Sequence, residues 1–325
     1  MKIGFCYDTK SDYGYSEMNL EYTDFVTLQT ISEIGKAIEQ NGYELEYIGN
    51  VHKLCDQLAR GIFNCDLIFN IAEGFGSRNR EALLPSLLEL YEIPHTASDT
   101  YGMSINLNKH HTKLLVNSIG IPVPKGFCFS ILTTEVINQV HSLKFPFILK
   151  PNCEGGSMGL YLIHSIEEFI EKSKYLIQTY SFELLAEEYI SGAEITVPVI
   201  GNGEDAEAWG VVTILNEDRT DINLYDNKRK QVDNVLNTLE FKFENNLKQK
   251  IMDYSLEIHK FFHLQDYSRM DFRISSIGEP YFLEINTMPS LCRECSFEQC
   301  GKTRGLEYYQ VIGEIIKAAR SRYGI

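Results

Sequence analysis

The sequence contains no uninterrupted apolar run long enough to cross a membrane, so it offers no candidate spanning helix. It is also poor in cations. Lys and Arg number 30 against 45 Asp and Glu, a formal net charge of -15. Such a surface repels nucleic acid and anionic lipid, and neither is expected as a partner. An anionic nucleotide can still be held where the few cations are concentrated. The opening residues, Met1 to Lys10, meet charge at Asp8 and lack the apolar core of a signal peptide. A cytoplasmic protein is expected. Low-complexity tracts, internal repeats and Gly/Ser linkers are missing as well. Cys292 and Cys295 have C-x-x-C spacing with Cys300 nearby, but no second C-x-x-C or His pair completes the four ligands of a zinc site. The eight Cys therefore read as reduced thiols, and Cys292, Cys295 and Cys300 as buried or half-buried ones.

What is present is an ordinary globular composition: 325 residues, 44% hydrophobic and 23% charged. A chain of this length divides into two or three domains. Residues 2–8 read as a strand and Asp24 to Asn41 as a helix with Ile31, Ile34, Ala37 and Ile38 as its apolar stripe. Further strands (YELEYIG, CDLIFNIA) and a helix interrupted at Pro85 follow. This alternation implies a parallel sheet flanked by helices, ending near residue 105. A second unit opens with a helix carrying Lys109 and Lys113 and stopped by Gly120. It continues with a strand ending at Lys150-Pro151, the loop CEGGSMG, and two strands around Ser191-Gly192. A third holds EAWGVVTIL, a polar stretch from Asn216 to Asn234, a helix near Asn245 to Phe262, a hairpin from Met270 to Ile285 and a C-terminal amphipathic helix.

Chemistry concentrates in that hairpin. Residues two apart in a strand share a face, so Glu284 and Asn286 point together and Asp271 on the partner strand can join them. Two carboxylates and an amide oxygen suit a hard cation such as Mg2+. The same pattern fits a solvated outer face, and the rest of the chain must decide. The loop after Lys150 is not a Walker A loop, because the lysine precedes the glycines, and it lacks the third glycine of a dinucleotide fingerprint. It is rich in backbone N–H groups that can fold over phosphate oxygens. In EEYISGAEITV, Glu187 and Glu194 flank a turn, where one can accept from an adenine amino group and the other from ribose hydroxyls.

In order, NKHHTKLL, GIPVP, FILKPNCEGGSMG, EEYISGAEITV, SRMDFR and FLEINTMPS resemble the ATP-grasp superfamily, and within it the D-alanine–D-alanine ligases. The match is dense from Asn108 to Leu291. The resemblance implies an ATP-grasp fold, α/β overall with α+β character in the C-terminal units. It implies an N-terminal Rossmann-like parallel-sheet domain over 1–105, a small ATP-grasp subdomain over 106–188 and a C-terminal catalytic subdomain over 189–325. It makes Lys109 and Lys150 the lysines that hold ATP phosphates, and Glu154, Gly155 and Ser157 the phosphate loop. Glu187 and Ile190 are the implied adenine contacts and Glu194 the ribose contact. Asp271, Glu284 and Asn286 are the implied ligands of two Mg2+ ions, with Mn2+ as an alternative. Arg269 is the implied oxyanion stabiliser, with Lys150 and Ser157 beside it in the catalytic set.

The activity so implied is ATP-dependent joining of two amino acids. A carboxylate attacks the γ-phosphate, an amine attacks the acyl phosphate, and ADP and phosphate are released. The stretch with Tyr225, Asp226, Lys228, Arg229 and Lys230 is the implied lid, with Lys230 reaching the nucleotide. Departures fall on the substrate side, where residues 6–25 and AEGFGSRNREALLP replace the family's patterns. There Glu17 or Glu21 is the expected partner for a substrate ammonium, and Arg80 or Arg293 for its carboxylate, with Glu73 and Ser296 alongside. A different amino acid, an amine or a hydroxy acid as acceptor is the alternative, and an ATP-binding protein without catalysis is a third reading. The partners implied are small amino-acid substrates, and a homodimer is allowed.

Overall fold

The computed structural model describes residues 1–16, 25–180, 182–216 and 236–325. Its first sheet is parallel, in the order β2-β1-β3, from β1 (Lys2–Tyr7), β2 (Glu44–Tyr47) and β3 (Leu67–Ile71). Every residue of β3 is buried, as expected of a parallel strand covered on both faces. The helix Leu28–Gln40 starts where the Thr27 side chain accepts from the Thr30 amide, and it buries Ile31, Ile34, Ala37 and Ile38. Burying each isoleucine contributes about 1.5–3 kcal/mol. The expected start at Asp24 lies outside the described residues. The C-terminal helix Tyr308–Tyr323 packs on this same helix, and Asn41 Nδ2 donates to the Tyr309 carbonyl at 2.6 Å. Late sequence thus closes the core of the first sheet.

Pro85 does not interrupt its helix. The helix spans Leu83–Leu90, so Pro85 falls in the first turn, where its missing N–H has no intrahelical partner to lose.

The second sheet is antiparallel, in the order β4-β7-β5-β6: β4 (Gly126–Phe129), β5 (Phe147–Pro151), β6 (Tyr161–Ile163) and β7 (Leu184–Glu188). Helix Ile166–Thr179, capped by Ser165, lays Phe169 and Leu176 against Phe127, Phe129 and Phe147. The third sheet runs β11-β10-β8-β12-β13 with β9 beside β8: β8 (Gly192–Ile200), β9 (Glu207–Ala208), β10 (Val212–Leu215), β11 (Leu236–Thr238), β12 (Tyr267–Ser275) and β13 (Pro280–Asn286). Helix Asn245–Phe261 covers it through Ile251 and Ile258.

One connection differs from the sequence expectation. The strands around Ser191-Gly192 are not a hairpin, because β7 and β8 belong to different sheets. Gly192, at φ +143, makes the crossing; a Cβ there would lie 1.9 Å from the Ile274 carbonyl oxygen. EAWGVVTIL forms two strands, broken around Gly210 at φ +157. Among the described residues no helix is long and apolar enough to cross a membrane.

Candidate active site

Strands β12 and β13 pair Arg269 with Asn286 and Asp271 with Glu284, with an irregularity just after Asp271. Alternation then brings Arg269, Asp271 and Arg273 to one face of β12, the pleat acting directly on the sequence S-R-M-D-F-R. Asp271 is the hub. Arg269 reaches it twice, Nε to Oδ1 and Nη2 to Oδ2, both at 2.8 Å. Thr196, opposite it on β8, donates to Oδ1 at 2.7 Å, and Asn286 Nδ2 donates to Oδ2 at 2.9 Å. Burial works against the Arg269 charge, but Asp271 and then Glu284 outweigh it and raise its pKa.

Across from this hairpin lies a cluster of lysines. Lys150 ends β5, while Lys109 and Lys113 stand one turn apart on helix Lys109–Ser118. Glu187 on β7 opposes Ile148 and so shares a face with Lys150. Its Oε2 meets Lys113 Nζ at 2.5 Å and its Oε1 meets Lys150 Nζ at 2.7 Å, with all three residues buried. Burial alone would raise the Glu187 pKa; the two lysines reverse that and lower it. Burial lowers Lys113 to about 8, helped by Lys150 and resisted by Glu187. Lys150 ends raised, since Glu187 and Glu284 overcome its burial. Lys109 donates to the Glu154 carbonyl and lies 3.5 Å from Glu284 Oε2. Within the Lys113–Glu187–Lys150 triad two lysines face one glutamate, a local surplus of positive charge that favours a phosphate.

The lysines and the hairpin meet at one cleft between the second and third sheets, which the hairpin enters through Arg273, Leu283 and Glu284. Lys109, Lys150, Glu154, Gly155, Ser157, Glu187, Ile190, Glu194 and Glu284 all line it, so most of the nucleotide residues expected from the sequence converge there. Ile148, Met158, Leu160 and Leu283 give it an apolar side. The loop after β5 turns tightly, with the Met158 amide donating to the Gly155 carbonyl at 3.1 Å and positive φ at Gly156 (58°) and Ser157 (60°). Backbone N–H groups in such a turn form an anion-binding concavity.

Sequence reasoning missed several residues. Lys113 was read as part of a helix and given no role; its spacing of four from Lys109 was the available signal. Thr196, two residues from Glu194 on β8, and Arg273, two from Asp271, were legible only from strand alternation. Arg273 Nη2 donates to the Gly192 carbonyl at 2.7 Å, its Nη1 lies 3.8 Å from Glu194, and its guanidinium sits 5.2 Å from the Tyr189 ring centroid.

The expected substrate residues are more scattered. Arg80 is buried and donates through Nη1 to the Cys153 carbonyl at 2.8 Å, 3.9 Å from Glu154 and with Nη2 3.5 Å from Glu81. The structure therefore turns Arg80 to the loop after β5. Arg293 is exposed, donates to Glu298 at 2.7 Å and lies over Tyr308 at 4.3 Å. Ser296 is buried at the start of helix Ser296–Thr303, and Glu73 is half-buried in the segment after β3. Glu17, Glu21, Lys230 and the expected lid from Tyr225 to Lys230 lie outside the described residues. The segments after β1 and β3 also bring Tyr13, Phe25 and Phe75 together, with ring centroids 5.1–6.2 Å apart.

This three-sheet arrangement, with a cleft lined by lysines and glutamates between the last two sheets, is the ATP-grasp ligase fold. A family model described as D-ala D-ala ligase C-terminus matches residues 115–317, and the chain belongs to that family. D-alanine–D-alanine ligase of Aquifex aeolicus is 30% identical over 90% of this chain and 94% of that protein. The D-alanine–D-alanine ligase of Bacillus anthracis complexed with ATP superposes with a TM-score of 0.75 at 20% identity, over 100% of this chain and 99% of that one. The VanG D-Ala:D-Ser ligase of Enterococcus faecalis gives 0.78 at 20% identity, over 98% and 99%.

Proposed function

We propose that this protein joins two amino acids, consuming ATP and releasing ADP and phosphate through an acyl phosphate. The observation that carries the reading is the convergence of Lys109, Lys150 and Glu284 on one cleft from three separate segments of chain, with Lys113 paired to Glu187 behind it and Asp271 opposite Glu284 on the next strand. The division into units 1–105, 106–188 and 189–325 is supported by each holding one of the three sheets.

In this reading Lys109 and Lys150 hold the β- and γ-phosphates, and the turn from Glu154 to Ser157 covers them with backbone N–H groups. Glu187 fixes both buried lysines and, with Ile190, borders the adenine, while Glu194 meets the ribose. Asp271, Glu284 and Asn286 fit a hard divalent ion: two carboxylates stand on paired strands, and the Asn286 amide, turned over, presents its oxygen. Two Mg2+ ions, or Mn2+, held there would neutralise the repulsion between phosphate and attacking carboxylate. Arg269 then faces the negative charge that builds on the carbonyl oxygen as the amine attacks.

A second reading, an acceptor or donor other than D-alanine, is favoured by one observation. The segments after β1 and β3, at the C-terminal ends of parallel strands where α/β proteins bind ligands, carry the Tyr13–Phe25–Phe75 aromatic cluster. ADP release measured with Mg2+ against a panel of D- and L-amino acids and hydroxy acids tests both. Metal-dependent release with at least one amino-acid pair is expected; ATP binding without release across the panel would overturn the ligase reading.

A further inference from the structure

Nothing in the proposed ligation uses Cys292 and Cys295, yet the chain places them against each other. They are the ends of a β-turn in which the Cys295 amide donates to the Cys292 carbonyl at 3.4 Å, and Glu294, at φ +63, is its left-handed residue. Such a turn keeps its terminal Cα atoms within about 7 Å, close to the roughly 4.4–6.8 Å that a disulfide spans. Glu298 pins the turn from outside, accepting from the Glu294 amide and, at 2.7 Å, from Arg293. The two thiols are free. The Cys295 thiol is raised well above the usual range by its neighbour Cys292 and by burial. Cys292 is lowered, first by Cys295, then by Ser290 and the nearby Arg269 guanidinium. Cys6, Cys65, Cys128, Cys153 and Cys300 are all shifted upward, chiefly by burial. Cys292 is half-buried and so open to a small reagent.

We propose that Cys292 and Cys295 form a dithiol modification site that reacts with low-molecular-weight disulfides and closes to an internal disulfide. The Cys292 thiolate attacks one sulfur of the reagent. Its S–S bond breaks, and one thiolate leaves and takes a proton from water. Cys295 then gives up its proton and attacks Cys292 sulfur, expelling the second thiolate, which is protonated in turn. Two protein thiols are oxidised, and one reagent disulfide is reduced to two thiols. Closure also removes the anionic sulfur beside Arg269. On the ligase reading of that arginine, turnover falls on oxidation and returns with dithiothreitol.

The test incubates the whole protein with oxidised glutathione and maps its peptides by mass spectrometry after trypsin. Cleavage after Arg293 leaves two peptides joined only by the disulfide. The intact protein should show the Cys292–Cys295 link, reversed by dithiothreitol. Cys295→Ser should hold a stable glutathione adduct on Cys292, and Cys292→Ser should be modified in this turn at least about tenfold more slowly. Adducts on Cys55 with Cys292 untouched, or a persistent Cys292 adduct with no link in the intact protein, would overturn the site. This readout needs neither ATP nor an amino acid, so it stands or falls apart from the ligase reading, which only the loss of turnover shares.

Discussion

Arg269 and Asp271, two residues apart on one strand, form a bidentate ion pair with both contacts at 2.8 Å. Fork-to-carboxylate contacts of this kind are among the strongest charge-assisted hydrogen bonds. They also link the two proposed roles, since the carboxylate offered to the metal is the one that aims the arginine. Thr196 and Asn286 complete its fixation. Changing Asp271 therefore disturbs both ends of the reaction.

Asp271→Asn keeps the shape and removes the charge. ADP release at saturating ATP and Mg2+ should drop by about 10²-fold or more, as for loss of one strong electrostatic contributor. Glu284→Gln should lose a similar factor. Wild-type turnover in either variant, or undiminished turnover of the unaltered protein in excess chelator, would sink the metal platform.

Glu187 pairs with two buried lysines at once. Glu187→Gln leaves Lys113 and Lys150 facing each other with Glu284 as their remaining counter-charge, and unfolding stability should drop by about 3–5 kcal/mol. ATP supplies the missing negative charge, so saturating nucleotide should return part of the lost urea midpoint. An unchanged midpoint without nucleotide would show that the triad is not the electrostatic keystone of the cleft.

The legible part of this protein was the part with short-range period. The hairpin carrying Asp271, Glu284 and Asn286 could be read because strand alternation fixes faces over a few residues. The stripe Ile31, Ile34, Ala37 and Ile38 could be read because helical spacing does the same. The crossing at Gly192 could not, because a two-strand run reads alike whether it turns back on itself or passes between sheets. The contact of Arg80 with the loop after β5 is not legible for a similar reason. Its partner carbonyl at Cys153 is 73 residues away, and no local pattern announces a contact to backbone.

His259 gives a pH prediction. It is buried, with Nδ1 at 2.7 Å from Ser268 Oγ and Nε2 at 3.2 Å from the Gly201 carbonyl, and burial lowers its pKa from 6.5 to about 4. Between those values the unfolded chain binds a proton that the folded chain refuses. Stability from this group is thus complete above 6.5 and is lost as pH falls toward 4, by on the order of 3 kcal/mol. His259→Gln should flatten the pH dependence of the urea midpoint across that window. An equally steep fall in the variant would assign the effect to other groups.

The two arginines expected at the substrate carboxylate should separate kinetically. Arg80 is buried and holds the Cys153 carbonyl, beside the Glu154 whose own carbonyl receives Lys109. Arg80→Met should loosen that loop and raise the KM for ATP, if the loop covers the phosphates as proposed. Arg293 is exposed and stacked on Tyr308, so its guanidinium is already presented at a fixed angle. If it meets a substrate carboxylate, its loss removes a charged hydrogen bond of about 1.5–3 kcal/mol, roughly 10- to 100-fold in apparent affinity. Arg293→Ala should therefore raise the amino-acid KM and leave the KM for ATP unchanged. Arg293→Lys should recover little of it, since an ammonium cannot reproduce the planar fork. Steady-state kinetics with ATP and the amino acid varied in turn decides the matter. If Arg293→Ala alters neither KM and only lowers the unfolding midpoint, the residue serves Glu298 and Tyr308 alone, and the substrate carboxylate is held elsewhere.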